Sequence, residues 1–76
     1  MKREEARKRT IENILRYESE FLDCLYDDMN KAIEDRIFYC EMPVHLIKYE
    51  DSKFYLKQHL EDLGYTVNFD INEIYW

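Results

Sequence analysis

A long amphipathic segment without a single helix breaker occupies the first half of this chain and limits how it can fold. No Gly or Pro occurs between Met1 and Glu41, and most residues there are competent helix formers. Apolar side chains recur at intervals of three and four, which places them on one face of a helix. The pattern predicts one helix over residues 2–35, about 50 Å long at a rise of about 1.5 Å per residue. Its apolar face consists of Ile11, Ile14, Leu15, Phe21, Leu22, Leu25, Tyr26, Met29, Ala32 and Ile33.

This apolar face is longer than the rest of the chain can cover. The remaining residues can supply a strand of about 20 Å and a helix of about 20 Å, which shield only part of it. A chain of 76 residues is also near the size at which oligomerisation commonly supplements a single core. We therefore expect a homodimer. The predicted interface consists of Ile11, Ile14, Leu15, Glu18 and Leu22.

Glu18 is the one charged residue at the centre of the apolar face. Two interpretations are open. Either the body of the protein ends before this level and Glu18 contacts water, or Glu18 lies in the dimer interface. In an interface its carboxylate would pair with Arg7, Arg16 or a lysine of the second chain, since a buried charge without a partner costs several kcal/mol. A polar residue in an apolar seam can also set the register of the two chains.

The second half of the chain begins with a strand and a helix. Residues 36–42 are rich in β-branched and aromatic residues and predict a strand, with Phe38, Cys40 and Met42 on one face. Pro43 ends this strand, because its fixed φ and missing N–H do not suit a strand interior. The segment 44–50 fits either a helical turn or an irregular loop, and a turn is favoured. A helix follows, with Asp51 or Ser52 as its N-cap.

A hairpin is expected to complete the chain. Gly64 is the predicted left-handed residue just past the second helix. The hydrophobic period then changes to two, which predicts a strand over residues 65–69. A three-residue loop with Asn72 in the left-handed conformation would lead into a last strand over residues 73–76.

These elements predict a single α+β domain over residues 1–76. It consists of a long N-terminal helix (1–35) with a protruding N-terminal part and a β-α-β-β body (36–76), in which both helices pack on one face of a three-stranded sheet. If the first two strands are neighbours, their connection is a right-handed parallel crossover. The outer face of the sheet would carry Ile37, Tyr39 and Tyr75.

Charge is distributed unevenly along the chain. Residues 1–16 contain six basic and three acidic side chains, whereas residues 17–76 contain five basic and fourteen acidic ones, which together give the net charge of −6. Nucleic acid would repel so acidic a body, so we expect no direct nucleic-acid binding and a basic partner instead. The basic arm of Arg3, Arg7, Lys8 and Arg9 is interpreted as a helix end with internal pairs such as Glu4–Lys8 and Glu5–Arg9; contact with nucleic acid is the less favoured alternative.

The polar face of the long helix carries a row of carboxylates. They recur at steps of three, four and seven residues, so they line up along the helix at spacings that overlap those of phosphates along a nucleic-acid strand. Lys31 is the only basic residue among them. Such a row could imitate a DNA backbone, or it could simply keep a small protein soluble. The row consists of Glu20, Asp23, Asp27 and Glu34.

No catalytic or metal-binding pattern accompanies these features. His45 and His59 are not at zinc-ligand spacing from any cysteine, and Cys24 and Cys40 lack a paired-cysteine spacing and are expected to remain thiols. A chain of this size is expected to lack the concave volume of a ligand site. We predict no enzyme, cofactor or metal. Without a signal peptide or membrane span, the expected location is the cytoplasm.

The C-terminal segment 56–76, LKQHLEDLGYTVNFDINEIYW, resembles the ending of small proteins of tailed bacteriophages: a helix closing in Leu-Gly-Tyr, a strand, a turn and a short last strand ending in Trp. The long charged N-terminal helix resembles the N-terminal helices of the same group of proteins. The resemblance implies a phage origin and a location in the host cytoplasm. It also implies a relation to small acidic dimers that inhibit host DNA-associated proteins, such as sliding-clamp inhibitors and DNA mimics. It assigns no functional residue.

The favoured hypothesis is a non-enzymatic, dimeric inhibitor that presents a DNA-like acidic surface to a host DNA-binding or replication protein. The alternative is a structural or assembly accessory that acts through the apolar face of the long helix, as a helix lying in a partner's groove.

Overall fold

The computed structural model describes residues 1–76 and contains three α-helices and one three-stranded antiparallel sheet. The α+β class predicted from the sequence is thereby confirmed. The elements are α1 (Arg3–Tyr17), α2 (Ser19–Glu34), β1 (Tyr39–Glu41), a 3₁₀ turn (Val44–Leu46), α3 (Ser52–Asp62), β2 (Thr66–Asn68) and β3 (Glu73–Tyr75).

The predicted continuous helix is interrupted at Glu18, where the backbone leaves helical geometry (φ −100°, ψ 21°). The prediction of one helix over residues 2–35 is therefore wrong at this residue. The two pieces stay joined by hydrogen bonds across the junction. The Glu18 N–H donates to the Ile14 carbonyl at 3.2 Å, and the Leu22 N–H donates to the Glu18 carbonyl at 3.1 Å. The break occurs where the Glu18 side chain accepts a hydrogen bond from a distant loop, a tertiary contact that periodicity cannot reveal.

Helix α1 lies beside α3 and runs antiparallel to it. Tyr17, at the end of α1, shares a groove with Ser52 at the start of α3, and Arg7 shares another with Asp62 at its end. The apolar side chains of α1 are consequently half-buried rather than uncovered, although no residue of α1 is fully buried. The uncovered part of α1 is its charged start, residues 1–10, all of which are exposed.

The strand order is β1-β3-β2, with both pairs antiparallel. The first two strands are not neighbours, so the parallel crossover considered for that case does not occur. Strand β3 folds back from the hairpin onto β2 and pairs along its other edge with β1. Cys40 and Val67 both pair with Ile74 on the inner face. Tyr39 and Tyr75 contact each other on the outer face, as predicted, with ring centroids 5.8 Å apart.

One apolar core joins α2, α3 and the inner face of the sheet, and Leu15 and Leu22 pack against its edge. Phe38, predicted on the inner face, is instead 71 % exposed, since it precedes the strand proper. The core consists of Phe21, Leu25, Met29, Met42, Leu56, Leu60, Val67 and Ile74.

Helices α2 and α3 end in the same hydrogen-bonded motif. Gly64 follows α3 at φ 100° and donates to the Glu61 carbonyl, and the next amide donates to Leu60. Arg36 follows α2 at φ 63° with the equivalent bonds to Ile33 and Ala32. These are Schellman caps. The predicted left-handed Gly64 is confirmed, whereas the sequence did not indicate that an arginine closes α2.

The hairpin is one residue longer than predicted. Asn68 pairs with Glu73, so its loop spans residues 69–72. Asn72 has the predicted left-handed conformation, at φ 56°.

Substitutions at the two caps are expected to change stability in opposite directions. Gly64→Ala adds a Cβ that meets no atom within 4 Å, so its cost is the backbone strain of an L-residue, about 1–2 kcal/mol. Arg36→Gly removes such strain but also gives the unfolded chain more conformational freedom. The net gain in the free energy of unfolding is expected to be up to about 1 kcal/mol. Urea unfolding followed by circular dichroism measures both, and a loss of stability in Arg36→Gly would contradict the assignment.

Candidate protein-binding surface

The side chains predicted to form the acidic face of α2 lie close together on the solvent side of the helix. At 3.6 residues per turn they fall within an arc of about 60°. The core residues Phe21 and Leu25 occupy the opposite side of the same helix. The face defined here as the acidic face consists of four exposed residues, Glu20, Asp23, Asp27 and Glu34.

The acidic face has no cationic partner within the protein. The ion pairs of the structure are Glu5–Arg9 at 3.0 Å, Lys8–Glu12 at 4.0 Å and Glu50–Lys53 at 3.0 Å, all outside α2. Lys31, the only basic residue of α2, is exposed and in no ion pair. The negative charge of this helix is therefore available to an external cation.

The density of charge along the acidic face is of the same order as that of a nucleic-acid strand. Its four carboxylates occur from Glu20 to Glu34, a distance of about 21 Å along the helix axis. This corresponds to one carboxylate per about 5 Å, compared with about 3.4 Å per charge along one strand of duplex DNA. Because a helix holds its side chains at fixed intervals, the row is ordered before any partner arrives.

A cleft beside the acidic face contains Cys24, Asp28, Glu41 and His45, with a volume of about 230 Å³. The Cys24 thiol contacts Asp28 Oδ2 at 4.0 Å. Burial, followed by the charges of Asp28 and Asp27, raises the pKa of Cys24. A nucleophilic cysteine needs a lowered pKa, so the cleft does not activate this thiol. No group of His, Cys, Asp or Glu side chains is arranged to hold a metal ion.

Cys40, on the neighbouring strand, is also a free thiol. Burial, with a smaller contribution from the charge of Asp28, raises its pKa to about 11. Both cysteines are thus held protonated at neutral pH.

The basic arm at the start of α1 is exposed and only partly paired. The predicted pair Glu5–Arg9 is present, whereas Lys8 contacts Glu12 instead of Glu4. Arg3 and Arg7 are in no ion pair. The arm is the charged first part of a helix that contains two internal ion pairs.

Glu18 is fully buried within a single chain, so both interpretations of this residue are wrong. Its two carboxylate oxygens accept the backbone N–H of Lys48, at 3.1 and 2.9 Å. The loop after the 3₁₀ turn passes over the junction of α1 and α2 and supplies this donor. Of the other residues predicted for a dimer interface, Leu15 and Leu22 contact the chain's own core, and Ile11 and Ile14 are half-buried.

A groove between the end of α1 and the start of α3 was missed by sequence reasoning. It has a volume of about 420 Å³, within the range of ligand sites, so the expectation that the chain lacks such a volume is wrong. Tyr17 and Tyr49 form one wall, with ring centroids 6.3 Å apart and planes at 85°. No sequence signal joins these residues, because they come from two distant stretches of the chain, 14–17 and 49–55. The groove is lined by Ile14, Tyr17, Tyr49, Asp51, Ser52 and Tyr55.

Comparison with known proteins adds no relative: no family model, curated protein or solved structure matches the chain. None of its helices combines the length and the apolar character needed to cross a membrane.

Proposed function

We propose that this chain is a non-enzymatic binding protein that presents the acidic face of α2 to a basic site on another protein. The observation that carries the proposal is the row of exposed carboxylates without any ion pair. Exposed carboxylates at this spacing repel one another, and a complementary row of Lys and Arg side chains relieves that repulsion.

The partner class follows from the charge density. A surface built to contact the phosphates of nucleic acid presents Lys and Arg at intervals that match a strand. The acidic face offers a similar density on a preformed helix, so little conformational entropy is lost on binding. The proposed partner is therefore a DNA-binding or replication protein whose nucleic-acid site the acidic face occupies. If the chain is of phage origin, that protein belongs to the host.

The alternative function, an assembly accessory acting through the apolar face of α1, has one observation in its favour. Ile11 and Ile14 are only half-buried, so a partner could still cover them. Because α3 already packs along this face, less apolar area is left for a partner than the sequence suggested. The homodimer stays a prediction.

Charge reversal on α2 tests the proposed function. Asp23→Lys with Asp27→Lys is expected to weaken the complex with the partner by on the order of tenfold or more, because attraction becomes repulsion at the centre of the contact. Wild type and variant are immobilised and used to capture partners from host lysate, and the captured protein is then challenged with duplex DNA and with rising salt. The proposal predicts that both release it.

The matched control is Glu61→Lys with Asp62→Lys, which makes the same change of net charge on α3. This variant should retain the partner. If both variants lost the partner equally, net charge and not the acidic face would explain the binding. If neither salt nor duplex DNA released the captured protein, a DNA-like contact would be contradicted. Retention in both variants would favour the alternative function.

A further inference from the structure

The groove between the end of α1 and the start of α3 is lined by three tyrosine side chains. Tyr17 and Tyr49 are 62 % and 59 % exposed, and their rings meet nearly at a right angle. Tyr55 adds a third ring from the first turn of α3. Three tyrosine rings thus line one groove, and the uncovered face of a tyrosine ring attracts a cation.

Two polar groups of this groove lack a partner in the protein. Asp51 is in no ion pair, and its side chain does not cap α3. Ser52 is only 4 % exposed, yet its hydroxyl makes no side-chain hydrogen bond. That hydroxyl is not sealed off, because no fully buried polar atom is left unsatisfied and Ser52 lines the groove. Ser52 is thus a nearly buried residue that lines the groove, and its hydroxyl is free to bond a ligand that enters there.

The groove is held in shape by the buried Glu18. Its carboxylate binds the Lys48 amide, which directly precedes Tyr49, and Glu18 itself directly follows Tyr17. The two rings are therefore anchored from the interior, whereas their outer edges remain exposed. Arg16 and Lys48 line a separate hollow on another side of Tyr17 and are not among the residues of the groove.

We propose that this groove binds a guanidinium group, supplied by an arginine side chain of a partner polypeptide. A guanidinium is planar and can stack on a tyrosine ring while its N–H groups donate to a carboxylate. Here the Asp51 carboxylate and the Ser52 hydroxyl oxygen are the acceptors. The groove lies on α1, α3 and the loop that precedes α3, so the inference does not depend on the acidic face of α2 being functional.

Titration of the whole protein with methylguanidinium chloride tests this site, with backbone amide resonances as the readout and ionic strength held constant with sodium chloride. The resonances of residues 49–55 are expected to shift and saturate. Tyr49→Leu, which keeps apolar volume but removes the ring, and Asp51→Asn should each weaken binding by about two- to tenfold. Tyr39→Leu, on the outer face of the sheet, is the matched control and should bind like wild type.

Methylurea has a similar shape to methylguanidinium but no charge, so it tests whether binding depends on charge. It should cause no saturable shift of the backbone amide resonances. Binding of methylurea as strong as that of methylguanidinium would overturn the proposal. So would shifts spread equally over the acidic face of α2, or unchanged affinity in both Tyr49→Leu and Asp51→Asn. The readout does not involve the partner of α2, so failure of the groove and failure of the acidic face are distinguishable.

Discussion

Phe21→Ala is expected to lower the free energy of unfolding by about 3–5 kcal/mol, because it removes the largest apolar side chain of the core and leaves a cavity. Phe21 is fully buried on α2, within the cluster that joins this helix to α3 and the sheet. Small domains have only about 5–15 kcal/mol of stability in total, and 76 residues lie at the small end. The variant should therefore be close to unfolding at room temperature.

Urea unfolding followed by far-ultraviolet circular dichroism measures this loss. The matched control is Phe38→Ala, since Phe38 is the same residue type but largely exposed. Its expected effect is within about 0.5 kcal/mol. Similar losses in the two variants would mean that α2 does not bury Phe21 in the core as described.

Glu18→Ala is expected to cost about 2–4 kcal/mol, the second-largest effect. The substitution removes the acceptor of the Lys48 amide, and a hydrogen bond to a charged group contributes about 1.5–3 kcal/mol. The volume of the fully buried side chain is lost in addition. This contact is the side-chain hydrogen bond that ties the loop to the junction of α1 and α2.

Glu18→Gln separates the hydrogen bond from the charge. Its amide oxygen can still accept the Lys48 N–H, so the loss should be smaller than that in Glu18→Ala. Hydrogen exchange gives a second readout: the Lys48 amide should exchange faster in Glu18→Ala than in Glu18→Gln when each is compared with amides in the middle of α2. If the two variants were equally destabilised and exchanged alike, the hydrogen bond would not be the stabilising contact.

Several parts of this fold could be predicted because their causes are local. Gly64 and Asn72 adopt left-handed conformations that their residue types favour, and Pro43 ends a strand because it lacks an N–H. The core face of α2 follows from the helical period, so Phe21, Leu25 and Met29 were correctly placed together. The acidic face follows from the same period, since it is the opposite side of the same helix.

Other parts depend on contacts between distant segments. The local pattern predicted a continuous helix through Glu18. In the structure the Lys48 N–H, 30 residues away, donates to the buried Glu18 carboxylate at the point where the helix breaks. The sequence left open whether the first two strands are neighbours, and in the structure β3 lies between them and pairs with each along one edge. Periodicity cannot show which edge a later strand will take.

The amino-acid order by itself therefore determined the succession of helices, turns and strands, and which side of α2 is apolar and which is acidic, because these properties depend on neighbours a few positions apart. It did not determine the break at Glu18 or the bounds of the strands. The folded chain alone decided that α3 covers α1, that the carboxylates of α2 find no internal cation, and that three tyrosines line one groove with Asp51 and Ser52. Each of these depends on packing and hydrogen bonds between segments far apart in the chain, which no local pattern contains.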